Sequence, residues 1–175
     1  MDFSPYLSEF CRLFVFAVLL FSTLGKGRAF ARFRDDLTES LGITVKQATA
    51  ATLALIVVEG SLAVLLLLNN ELTEYAMLGA AMLFLGFTVW ISYTVIQDRL
   101  VRCNCFGQTE DYISYLDIIR NGILLLASGI YLFSPPAVPI PVTVQGLLFG
   151  MALSAYLVVT NLKNITLLAR NPKRP

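Results

Sequence analysis

Two cysteines one residue apart are the most reactive feature of this chain. Cys103 and Cys105 stand in RCNCFGQ, Arg102 to Gln108, between two long apolar runs. Cysteines at i and i+2 can close a small disulfide ring, but their Cα atoms then sit near the upper limit for a bridge unless the backbone kinks. Such strain raises the reduction potential, so the bond would be an exchangeable oxidant rather than a permanent staple. Asn104 suits the kink, because asparagine tolerates left-handed backbone angles, and Gly107 adds a second pliable point. Arg102, with Arg99 nearby, favours the thiolate, which is the attacking species. Two other readings stand beside this one. The cysteines are idle small residues of a loop, or their thiolates hold Cu(I), although nothing else in the loop completes a cage for that soft ion.

Charged side chains inside apolar runs are the second signal. Glu59 lies in VVEGSLAVLLLL, where a carboxyl must be protonated or paired. Asp117 and Arg120 are three residues apart and share a helix face. Their functional reading is a proton or quinone-carbonyl contact near the thiols. The structural reading is interhelical glue, with Arg120 paired to Asp117 or Glu59. Trp90 and Tyr93 would line a ring-shaped cofactor site or, more commonly for such residues, serve as packing and interface anchors. Cys11 reads as a small apolar residue, far from the other two cysteines. The chain has no histidine, so a His-ligated metal and a His base are both excluded, and no metal site is expected.

Helices must position these groups, and composition says in which solvent. Of 175 residues 57% are hydrophobic and 14% charged, with a mean hydropathy of +0.71. A soluble domain carries about a quarter charged residues, so this much apolar surface requires lipid. A spanning helix needs about 20 apolar residues, and five runs qualify: about 7–24, 48–68, 75–97, 113–133 and 143–162. The expected fold is all-α, a single membrane bundle of about five transmembrane helices. The first run lacks the basic flank of a secretory signal and is read as a retained helix. The proline-rich stretch SPPAVPIPV, 134–142, cannot continue a helix. The segment about 29–41 repeats Phe30, Phe33, Leu37 and Leu41 at helical spacing. It is read as a helix along the membrane surface, against the alternative of a solvated loop.

The charges also orient the chain. One set of connectors holds Lys26, Arg28, Arg32, Arg34, Lys46, Arg99, Arg102, Lys163, Arg170, Lys173 and Arg174, and the other holds only Arg12. Loops rich in Lys and Arg stay in the cytoplasm, so the N-terminus is expected outside and the C-terminus inside. The same rule puts Cys103 and Cys105 on the cytoplasmic side. A net charge of +1 offers nucleic acid no general attraction. Gly146, Gly150 and Ser154 form a small-residue stripe that allows close helix approach, within the bundle or to a partner in a membrane complex.

The order of these features resembles the MauE family. STLGKGRAFARF closes the first helix, Leu41–Gly42–Ile43 precedes a second helix with one Glu, CNCFG is similar to the family's Cys-Gly-Cys-Phe-Gly, and the fourth helix carries Arg120–Asn121 followed by an apolar run. The likeness covers roughly residues 10 to 133, and Asn104 departs from the family's Gly between the cysteines. It implies a four-helix redox core, here with one helix added, in the bacterial cytoplasmic membrane. It implies a thiol–disulfide protein that works with a thioredoxin-like partner in disulfide formation or maturation of an exported protein, in methylamine utilisation. Cys103 and Cys105 would be the catalytic pair, supported by Arg102, Asn104, Phe106 and Gly107, with Glu59, Asp117, Arg120 and Asn121 as intramembrane polar residues. A looser likeness to quinone-linked thiol oxidoreductases suggests a quinone as electron acceptor. Those enzymes use two cysteine pairs, so the second would come from the partner. An exported substrate calls for thiols on the outer side, opposite to the side the charges indicate. The alternative is a non-catalytic structural or assembly subunit of a membrane complex.

Overall fold

The computed structural model describes residues 4–68, 71–96, 115–134 and 141–161. These form six helices: α1 Ser4–Arg28, α2 Phe30–Leu41, α3 Val45–Leu68, α4 Thr73–Ile96, α5 Tyr115–Phe133 and α6 Val142–Thr160. All but α2 are long and apolar enough to cross a membrane. At 1.5 Å per residue they measure about 28 to 37 Å, against a hydrocarbon layer of about 30 Å. The protein is therefore an all-helical, multi-pass membrane protein with five candidate spans.

Their packing makes α1 the axis of the bundle. Two-thirds of its apolar window (67%) is buried, against 11–28% for the other four spans. It packs against α3, α5 and α6, while α4 closes the ring by packing on α5 and α3. Phe14, Val15 and Leu19 of α1 meet Leu66 of α3, Phe84 of α4 and Leu124 of α5 in one continuous core. The outward faces carry Val57, Met82, Leu126 and Leu147, each more than 60% exposed. In water such a surface would drive aggregation; against lipid it is solvated. Hydroxyls on the helices find partners locally: Thr52, Thr88 and Ser128 each donate to the carbonyl one turn earlier. Hydrocarbon offers such a group nothing else to bond.

The entry to α3 is built by local chemistry. α1 runs to Arg28, beyond the expected end near residue 24, because Gly25 and Gly27 do not interrupt it; the amide of Ala29 still donates to the Gly25 carbonyl at 3.0 Å. A break at Ala29 then turns the chain into α2. Over 30–41 the chain is helical, with Phe33 buried, Phe30 and Leu37 half-buried and Leu41 exposed. α2 packs chiefly on α3 and ends on Gly42, whose φ of 63° is the left-handed cap that glycine adopts without strain. Thr44 and Gln47 then cap α3 reciprocally: the Gln47 side chain accepts from the Thr44 amide at 3.0 Å, and the Gln47 amide donates to the Thr44 hydroxyl at 3.4 Å. At the other connector α5 stops at Phe133, and α6 starts directly after Pro141.

Candidate functional site

A cluster of buried charges joins α1 and α3 and faces polar side chains of α5. Ser22 and Lys26 are four residues apart on α1 and so point the same way. Lys26 is the third residue from the end of its helix, where a lysine would ordinarily extend outward to water. It instead turns into the bundle and is 1% exposed. Its ammonium donates to both carboxylate oxygens of Glu59, 2.8 Å each, and to the Ser22 hydroxyl at 2.6 Å. Ser22 in turn donates to Glu59 at 3.0 Å. The rings of Phe33 and Phe87 lie 5.5 and 5.8 Å from the ammonium. Phe33 is the buried residue of α2, so α2 covers the pair from outside the bundle. Gly60, next to Glu59, faces α1, and a Cβ there would make an ordinary contact with Thr23 at 3.5 Å.

Of the residues singled out in the sequence, Glu59, Arg120 and Asn121 come together around one small cavity with Ser22 and Lys26. Apolar side chains of α1 and α4, among them Phe84 and Phe87, complete its wall. The cavity leaves about 20 Å³ for the centre of a water-sized sphere, enough to admit water. Arg120 pairs with Asp117 across 3.2 Å, one of the two partners expected for it. Glu59 takes Lys26, a partner that the sequence hides, because the glycines on either side of Lys26 read as the end of a helix and the start of a connector. The charge count therefore loses one member on each side: Lys26 is buried with Glu59, and Arg12 is buried with Glu9. Eleven minus one against one minus one leaves ten basic residues against none, so the asymmetry stands.

A second buried pair lies toward the other end of α1, about 20 Å away at 1.5 Å per residue. Glu9 and Arg12 meet at 2.5 and 2.9 Å. Arg12 also donates to the Leu66 carbonyl, one of the last of α3, where helix carbonyls have no partner of their own. Gln145 of α6 donates to Glu9 at 3.4 Å. The three-residue spacing of Glu9 and Arg12 is the signal in the sequence for this pair. Cys11, between them in the chain, is buried and a free thiol in the hydrophobic core.

Other candidates separate from this interior. Tyr93 is 54% exposed, in keeping with an interface anchor, and Trp90 is half-buried on the same helix. Gly146, Gly150 and Ser154 face outward from α6, and a Cβ added at either glycine would meet nothing within 4 Å. The stripe therefore takes no part in packing within the bundle. Arg102, Cys103, Asn104, Cys105, Phe106 and Gly107 lie outside the described residues. Among the described residues no three His, Cys, Asp or Glu side chains gather as metal ligands.

The family model described as Methylamine utilisation protein MauE aligns with residues 4–134, which is α1 through α5, and leaves α6 outside it. No curated protein and no solved structure matches the chain.

Proposed function

The chain belongs to the MauE family, and from that membership we propose that it is a membrane thiol–disulfide redox protein acting with a thioredoxin-like partner. Cys103 and Cys105 are the exchanging pair. In the oxidising direction a partner thiolate attacks their disulfide and forms a mixed disulfide. The partner's second thiolate then displaces the remaining sulfur. The partner is left oxidised and Cys103 and Cys105 reduced, with two electrons and two protons transferred. A lipid-soluble acceptor of the quinone class, taking up those two electrons and two protons, would restore the disulfide. The outcome is disulfide formation or maturation of an exported protein, in methylamine utilisation and in the bacterial cytoplasmic membrane.

The observation that carries this reading is the CNCFG motif inside the family-matched region, in the segment that links α4 to α5. The buried cluster supports it by position in the chain. Ile91 and Arg120, both on the cavity wall, are each five residues from the helix ends that this segment joins, Ile96 and Tyr115.

The test is alkylation of the thiols with and without reductant, in membranes containing the partner. The expected result is a reductant-sensitive pair, and a Cys105→Ser variant that accumulates a covalent partner adduct absent from Cys103→Ser. Full maturation activity with both cysteines replaced by serine would end the redox reading. It would favour the second reading, a non-catalytic assembly subunit, for which the outward stripe Gly146, Gly150 and Ser154 on α6 supplies a contact surface.

A further inference from the structure

Asn121 is the residue whose surroundings do not account for it. It is 4% exposed, within an apolar helix, and among the described residues its side-chain amide makes no hydrogen bond. An amide without protein partners in an apolar helix is costly unless water reaches it, and the polar atoms of this one are not sealed among packed side chains. Yet the side chain lines a cavity that it shares with Ser22, Lys26, Glu59 and Arg120. That cavity has room for water. Its wall carries polar groups from α1, α3 and α5, more than the two to four partners that hold a buried water.

We propose that this cavity is a specific internal water site, in which an ordered water bonds the Asn121 amide and bridges it to the Ser22–Lys26–Glu59 cluster. The water satisfies the amide and ties α5 to α1 and α3, a connection that no direct side-chain bond from Asn121 provides. The proposal is independent of the thiol chemistry, since it involves only residues on four packed helices. It also assigns Asn121 a role separate from that of its neighbour Arg120, which is held by Asp117.

Hydroxyl-radical footprinting by brief X-ray irradiation tests the site, because a bound water generates radicals where it sits. Phe84 is 3% exposed and lines the cavity, so bulk solvent does not reach it. Full-length protein in phosphatidylcholine vesicles should acquire oxygen at Phe84, and Asn121→Leu, which removes the amide and fills the space, should lower that labelling at least fivefold. Absence of labelling in the wild type, or equal labelling in the variant, overturns the proposal. Thermal unfolding in detergent provides a check that does not depend on labelling. A dry cavity holds an unsatisfied amide, so Asn121→Leu would then raise the melting temperature. A hydrated one loses its bridge, and the melting temperature should fall. A rise overturns the proposal.

Discussion

Breaking the Lys26–Glu59 pair should be the most destabilising polar change in the bundle. Both side chains are 1% exposed, so water screens neither charge. Glu59→Gln keeps the shape but leaves the ammonium with a neutral amide and Ser22. Lys26→Met keeps the stem but leaves the carboxylate with Ser22 alone. Removing one partner of a buried pair costs about 3–5 kcal/mol, whereas replacing both by apolar residues is often neutral or stabilising. Polar contacts between membrane helices run weaker than in water-soluble cores, averaging about 0.6 kcal/mol. Three short charge-assisted bonds to one ammonium therefore put the single variants near the lower bound, about 3 kcal/mol, more than a hundredfold in the folding equilibrium. Lys26→Met with Glu59→Leu should recover most of that loss. The assay is equilibrium unfolding in mixed micelles for wild type, Lys26→Met, Glu59→Leu and the variant that combines these two, read as a thermodynamic cycle, with Glu59→Gln as a separate check on charge alone. A coupling energy below about 0.5 kcal/mol would refute the reasoning, because two buried opposite charges in contact cannot be independent.

Three further outcomes follow from the same geometry. Phe33→Ala should uncover Lys26, raising its labelling by a water-soluble amine acylating reagent several-fold over a wild type in which it is 1% exposed; unchanged labelling would show that α2 does not cover the pair. Arg12→Leu should cost about 2–3 kcal/mol in the same unfolding assay, since it orphans Glu9 and uncaps the end of α3, with thiol exchange by Cys103 and Cys105 unaffected. A single cysteine placed in the 98–112 segment should resist an impermeant maleimide applied to intact cells, as the ten-to-none charge asymmetry requires. Labelling from outside would reverse that orientation and put the thiols on the side of an exported substrate.

The number of spans and their approximate ends were legible in the sequence because hydrocarbon thickness imposes a length, and apolar runs of that length are readable without any knowledge of packing. Glu59, Asp117, Arg120 and Asn121 were legible for the same reason: a polar group in such a run must be compensated. The Asp117–Arg120 pair could be anticipated because both residues lie on one helix, where spacing decides contact. Which group compensates Glu59 was not legible. Lys26 lies 33 positions away, between two glycines that read as a helix end. Only the packing of α3 on α1 brings its ammonium inward, and the pair then draws that last turn into the bundle. The outward direction of the Gly146, Gly150 and Ser154 stripe and the central place of α1 likewise belong to the tertiary structure. Five apolar helices all satisfy the membrane alike, and the choice of which one is surrounded depends on contacts between helices that no single helix contains.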